Sequence, residues 1–515
     1  MKIRTKWAGV PAAVAAMAAL AAVAPAGASA ASCKGTSIIG EGSSFQKIAH
    51  QSPGGTVQGT TGSIAGDQGW INLFKSGYTK ADGSHQNQYC AQTTSTFLST
   101  GQTISYNSTG SGAGVSAFGA GRSGGYPAGA RSGVGTQPAG TTNWFNDRFV
   151  AYDDAPNSAE QANMNAGDPS QGWNAGLLHN IPVAQGSIAM DFNVPDGCSW
   201  PASFNYKPDA ATQTTRFKIP NASIEKIYSG VYTTWGQLFA GNMTGTPANF
   251  AGVTCNNVPI TPVVRSDSSG TTFNFKQWLA LVAATDGSTV DWGQSGSGLN
   301  TPANNTVWPN AYTSASGGGG VAGKAATTDG AVTYAFLGDS RAKGFDITPI
   351  ASGSAPDTTF WIPVYNNATT PQLADPATNG TYGYKAGQAI NTHGSNCAKA
   401  VYKNVPTTGL GGVGDPTTAD SWNTVSGIGQ TAGYPMCYLS WIGAWDSYSA
   451  VYGSSLAEQK MEMSVKDYLT AITGNGQGML PLDDYQKLPT TAGSGGTPTL
   501  TMAQLAKNGV AAIHF

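Results

Sequence analysis

Arg265 and Asp267 lead into Ser268-Ser269-Gly270-Thr271-Thr272, a run of hydroxyls and one glycine headed by a guanidinium. At the start of a helix such a run is the outline of an oxyanion site. The first turn leaves N–H groups unpaired at the positive end of the helix dipole, and an arginine fork adds charged donors. Serine and threonine are also ordinary helix N-caps, so the run alone leaves both readings open. The flanking stretches would position it. Pro259 to Val264 is β-branched and bounded by prolines, as a short strand is. Phe275, Trp278, Leu279 and Val282 recur at helical spacing.

Two more hydroxyl- and glycine-rich loops follow strand-like segments. Gly40-Glu41-Gly42-Ser43-Ser44-Phe45 comes after Thr36–Ile39, and Asn107 to Gly114 comes after Thr103–Tyr106. A third strand, Arg148–Tyr152, ends in the carboxylate pair Asp153-Asp154 before Ala155-Pro156. Further strands are expected at Ile181–Asn193, Ala331–Phe336, Phe360–Tyr365 and Cys437–Ile442, with helices at Ser223–Tyr228 and Leu456–Ile472. The last helix places Met461, Val465, Leu469 and Ile472 on one face and is closed by Gly474. Asp286–Thr328 is a long region of glycine, serine and asparagine, and Ala351–Thr431 reads as loop-rich. Alternating strands and helices, with chemistry in the loops after strands, predict an α/β fold that binds ligands at the carboxyl ends of its strands.

A chain of 515 residues is long enough for two or more globular units. The net charge of −2 gives no support for a nucleic-acid or anionic-membrane partner. Lys2, Arg4 and Lys6, the apolar run Val10–Val23 and the small residues Ala28-Ser29-Ala30 form an export leader over residues 1–30. The run is short for a membrane span and is interrupted by Pro11, with Pro25 just beyond it. An extracellular, periplasmic or cell-surface location follows. Cys33 is placed for lipid attachment, although Ala30 stands where lipoprotein signals usually carry leucine; free secretion is the other outcome. Six cysteines in an exported chain favour disulfides, and without CxxC spacing or a histidine cluster zinc is not expected. A sequential pairing is expected: Cys33–Cys90, Cys198–Cys255 and Cys397–Cys437.

No complete catalytic set is present. Gly121-Arg122-Ser123-Gly124-Gly125 fits an esterase pattern but lies in a glycine-rich loop. Gly318 to Lys324 nearly fits a phosphate-binding P-loop, but Ala325 replaces the required hydroxyl. His50, His85, His179, His393 and His514 are scattered, and the 13 tryptophans and 20 tyrosines read as core.

The motifs in this order resemble the phosphate-binding protein of the bacterial phosphate ABC transporter, the PstS family. Gly40 to Phe45 resembles its first loop, Tyr106 with Gly110-Ser111 its second, and Asp154-Ala155-Pro156 the segment after its third strand. Asn180-Ile181-Pro182-Val183 resembles its crossing between lobes. Ile227-Tyr228-Ser229-Gly230 with Trp235, Arg265 to Phe273, Tyr434-Pro435 and the helix from Leu456 complete the likeness. The resemblance implies a two-lobe, periplasmic-binding-protein-like fold of type II, with a ligand in the interlobe cleft. Lobe 1 would comprise 31–183 with 334–515, and lobe 2 would comprise 184–333. The implied ligand is inorganic phosphate, with no cofactor, no metal and no enzymatic activity. A monomer is expected, with an ABC-transporter permease as partner.

Carried over by position, Ser44 and Phe45 supply donors from the first loop and Ser111 a hydroxyl from the second. Asp154 accepts the proton of a protonated phosphate. Arg265, steadied by Asp267, makes the charged contacts, and Ser269, Gly270 and Thr271 supply helix N-terminal donors. Such an acceptor would disfavour sulfate, which has no proton to offer at neutral pH. Glu41 and Gln46 depart from the family pattern, and a carboxylate at 41 would repel a dianion unless it points away. The other readings are a secreted phosphatase, an extracellular phosphate scavenger, or a surface protein using insertions at Val115–Thr142, Asp286–Thr328 and Thr381–Thr431.

Overall fold

The computed structural model describes residues 36–51, 69–75, 103–122, 126–134, 146–199, 219–242, 254–255, 257–301, 305–345, 359–377, 394–405, 422–495 and 499–514. The expected leader, Cys33 and Cys90 lie outside them. The strands are β1 (Ile38–Gly42), β2 (Ile104–Ser108), β3 (Asp147–Tyr152), β4 (Leu178–Asn193), β5 (Thr261–Arg265), β6 (Thr313–Ala315), β7 (Ala331–Phe336), β8 (Thr359–Ile362), β9 (Val364–Tyr365), β10 (Leu373–Ala374) and β11 (Cys437–Trp445).

Nine of these form one sheet in the order β2-β1-β3-β11-β4-β7-β5-β6, with β8 also paired to β4. The chain folds as two α/β lobes that share this sheet through β4, each carrying parallel and antiparallel strands with flanking helices. The first half of β4 pairs antiparallel with β11, from Leu178 to Ser187, and its second half pairs with β7 and β8, from Ile188 to Asn193. All 16 of its residues are buried. A strand covered on both faces shows no polar alternation, which is why this segment reads in the sequence as one apolar run. Pro182 lies inside it, where its missing N–H would break a ladder. The register slips there: Ser440 faces Ala184 and Trp441 faces Pro182, leaving Val183 as an extra residue. The Val183 carbonyl accepts instead from Gln477 Nε2 at 2.7 Å.

β1 lies parallel to β2 and β3, and β5 lies parallel to β6 and β7. Parallel strands bring several strand-end loops to one edge of each lobe. The helix Gly270–Asp286 buries Phe275, Trp278 and Leu279, and Leu456–Thr473 buries Val465, Leu469 and Ile472, the faces expected from their spacing.

The stretch Asp286–Thr328 is rich in glycine, serine and asparagine. It contains β6 and a helix, Gly318–Ala326, that buries Val321, Ala322 and Ala325. Glycine weakens a helix, so local propensity pointed the wrong way; burial of one small-residue face supplies what propensity lacks. Cys198 is joined to Cys255 and Cys397 to Cys437. Among the described residues, no helix is long and apolar enough to cross a membrane.

Candidate functional site

The ends of β1, β2 and β3 in one lobe face the ends of β5, β6 and β7 in the other. Gly112 N–H donates to the Ser268 carbonyl at 3.3 Å, Asn274 Nδ2 to the Asp153 carbonyl at 2.9 Å, and Gly318 N–H to Ser44 Oγ at 3.3 Å. These bonds tie the two lobes together around the candidate residues. Gly270 is required here, because a Cβ on it would stand 2.6 Å from Asp153 Cβ and 2.8 Å from Asp154 N.

From the second lobe, Arg265 donates from Nε to Asp267 Oδ1 at 2.7 Å and from Nη2 to Oδ2. Burial alone would lower the guanidinium's pKa, but Asp267 more than offsets it and holds Arg265 above its ordinary value. The same pair, against the cost of burial, keeps Asp267 below its usual range. Ser269 caps the helix, its Oγ accepting from Thr272 N–H at 3.2 Å, while its own N–H donates to Asn305 Oδ1 at 2.9 Å. Gly270 and Thr271 form the buried first turn.

From the first lobe, the structure makes Asp153 the hub. Its Oδ2 accepts from Ser43 Oγ at 2.6 Å and Ser111 Oγ at 3.3 Å, and its Oδ1 accepts from Ser440 Oγ of β11 at 2.5 Å. Burial pushes its carboxyl up to about 6; the Ser43 and Ser440 bonds and the Arg265 charge hold it back. Asp154 turns to another partner. Its Oδ2 lies 2.6 Å from Arg122 Nη1, and Arg122 also grips Glu160 through Nε at 2.7 Å and Nη2 at 2.6 Å. Asp154 Oδ1 is buried without a hydrogen-bond partner. Burial pushes this carboxyl up to about 7, against Arg122 and with help from Glu160 and Asp153.

The first loop divides its work. Phe45 N–H donates to Ser43 Oγ at 3.0 Å, and its ring packs on Phe336, Tyr438 and Tyr485. Ser44 is half-buried and meets Gly318. Glu41 is buried, and Asp147 is the nearby charge that acts on it. Burial, with Asp147, pushes Glu41 up to about 9, so at neutral pH it is an uncharged acid and repels no anion. Gln46 is buried in the core, donating to Ser440 Oγ at 2.8 Å and the Trp441 carbonyl at 2.7 Å.

Several contributors were not assigned as ligands from the sequence. Ser43 and Asp153 lie within the loop and the carboxylate pair that the sequence singles out, each one position from the residue that the resemblance assigns as a ligand. Arg122 sat inside the rejected esterase pattern and Gly318 inside the rejected P-loop pattern. Gly317 N–H donates to Asp267 Oδ1 at 3.0 Å, so the glycine run meets both the arginine's partner and Ser44. Asp339, after β7, lies against that run: a Cβ on Gly318 would stand 2.1 Å from its Oδ2. Burial pushes Asp339 up to about 7, opposed by Arg265, Lys47 and Lys343. Among the described residues no group of histidine, cysteine, aspartate and glutamate is arranged to hold a metal ion.

A two-lobed α/β chain whose strand-end loops meet across a junction is built like a solute-binding protein. The family profile described as the PBP superfamily domain matches residues 77–393, and the chain belongs to that family. It is 27% identical over 257 residues to the phosphate-binding protein PstS 3 of Mycobacterium leprae, covering 50% of this chain and 52% of that one. It is 24% identical over the same length to the phosphate-binding protein PstS 2 of Mycobacterium tuberculosis. The chain thus matches about half the length of these curated relatives. Among solved structures, a high affinity periplasmic phosphate-binding protein, PfluDING, crystallised with phosphate, aligns with a TM-score of 0.49 at 19% identity, over 88% of this chain and 91% of that one. A phosphate-binding protein from Stenotrophomonas maltophilia aligns with a TM-score of 0.46 at 19% identity, over 92% of each chain.

Proposed function

We propose that this protein captures inorganic phosphate between its lobes, outside the cytoplasmic membrane, and delivers it to an ABC-transporter permease. The observation that carries the reading is the meeting of Arg265 and the Ser269–Thr271 helix turn with Ser43, Ser44, Ser111 and the Asp153-Asp154 pair at one junction. An anion buried there meets neutral hydroxyl and N–H dipoles, one arginine, and carboxylates able to accept from a protonated ligand. The ligand set comprises Ser44, Phe45, Ser111, Asp154, Arg265, Ser269, Gly270 and Thr271, supported by Asp267. The match to proteins named as phosphate-binding supports the choice of anion.

In this reading, lobe 1 comprises residues 31–183 with 334–515, apart from β8, which joins lobe 2, residues 184–333. The lobes open and close about β4 and the neighbouring β7, the hinge closure typical of ligand-clasping proteins. The protein works as a monomer and needs no cofactor. The test is a thermal-shift series on protein stripped of carried ligand by unfolding and refolding. Phosphate is expected to raise Tm with the logarithm of its concentration once that exceeds Kd, arsenate to act similarly, and sulfate to do little. No shift with phosphate overturns the reading.

A further inference from the structure

Tyr438 lies on β11 with its ring against Phe45, centroids 4.8 Å apart, and is 1% exposed. Residues two apart on a strand share a face, and Ser440, two residues on, donates to Asp153 Oδ1. Tyr438 therefore projects from the face of β11 that serves the Asp153 hub. The charges and hydroxyls acting on its phenol are Asp153, Thr271, Asp339 and Arg265, so both lobes and the glycine-run neighbour converge on it. Its hydroxyl makes no hydrogen bond of acceptable geometry, with Thr271 or any other described residue. A buried hydroxyl without a partner is unusual in a folded protein, because the group loses water and gains nothing. Burial, followed by the charge of Asp153, holds the phenol well above its ordinary pKa, so it stays a donor throughout the physiological range.

We propose that Tyr438 is a ligand-contacting specificity residue, its hydroxyl donating to an oxygen of the anion clasped between the lobes. This rests on the phosphate reading above. Tyr438 adds a neutral donor from the strand, which needs no proton on the ligand. It complements the carboxylates, which do need one. Charge-independent donation supports the binding of both ionisation states of phosphate.

The test is calorimetric titration of inorganic phosphate into the ligand-stripped full mature chain, as wild type, Tyr438→Phe and Tyr448→Phe. Tyr448 donates to the Arg148 carbonyl in the core and serves as the control for loss of a buried hydroxyl. Tyr438→Phe is expected to weaken phosphate binding roughly 10- to 100-fold, the range for a hydrogen bond to a charged group. Tyr448→Phe is expected to bind as wild type does. Equal affinity in wild type and Tyr438→Phe overturns the inference and leaves phosphate capture standing; no binding by wild type overturns both. Should Tyr438→Phe not fold, p-fluorophenylalanine at 438 fills the hydroxyl's volume. Its fluorine resonance is expected to shift on phosphate addition, and an unmoved resonance overturns the proposal.

Discussion

Arg122 Nη1 stands 2.6 Å from Asp154 Oδ2, both side chains almost wholly buried, and the same guanidinium grips Glu160 with two further nitrogens. One cation thus neutralises most of two carboxylates in the core of lobe 1, and Asp154 keeps one oxygen without a partner. Removing the cation would leave two buried acids uncompensated. Arg122→Ala is expected to destabilise the protein by about 3–5 kcal/mol at neutral pH, read from urea unfolding. Arg122→Lys should recover only part, since an ammonium cannot reproduce the fork. Near-wild-type stability in Arg122→Ala would refute this account of the pair.

Arg265 holds the charge of lobe 2 at the junction. Arg265→Ala is expected to weaken phosphate binding by about 2–5 kcal/mol, the range for losing one partner of a buried charged contact. Asp154→Ala should narrow the preference for phosphate over sulfate, measured by competition calorimetry. An unchanged selectivity ratio would remove Asp154 from the contact set.

Glu41 makes a prediction about pH. Its carboxyl is raised from 4.5 to about 9 in the folded protein, first by burial and then by Asp147. The folded chain therefore holds a proton that the unfolded chain releases. The stability this group contributes is full below pH 4.5 and is lost as pH climbs towards 9. Glu41→Gln should flatten the fall in urea midpoint across that window. A slope identical to wild type would show that Glu41 titrates normally.

Lys276 supports the helix that carries Ser269. Its Nζ donates to the carbonyls of Leu299 at 2.7 Å, Asn305 at 2.8 Å and Val307 at 2.7 Å, and sits 4.4 Å over the Trp308 ring. Asn305 in turn accepts the Ser269 N–H. Lys276→Met is expected to cost about 1–3 kcal/mol, typical of buried acceptors left unpaired. It should also speed amide exchange at Ser269. Unchanged exchange there would disconnect Lys276 from the site.

Much of the fold was legible because its signals are local. The β-branched runs at 261–265 and 331–336, the helical spacing after Gly270, and the hydroxyl-rich turns after strands all depend on near neighbours. The family likeness through Arg265 to Phe273 and Asp154-Ala155-Pro156 was equally a matter of short motifs. What failed to read locally was the helix Gly318–Ala326, whose glycines argue against a helix until β5 and β7 offer a surface to cover.

The sequence alone determined which residue types stand at the strand ends: one arginine, hydroxyls and acidic acceptors, the set on which the proposed anion site rests. Only the tertiary structure decided which neighbour does what: that Asp153 gathers Ser43, Ser111 and Ser440 while Asp154 turns to Arg122, and that Glu41 is buried as a neutral acid. A strand's period of two sends adjacent side chains to opposite faces, and a turn redirects them again. The partner each carboxylate meets is therefore set by packing across hundreds of residues, as when Ser440 reaches Asp153 from β11.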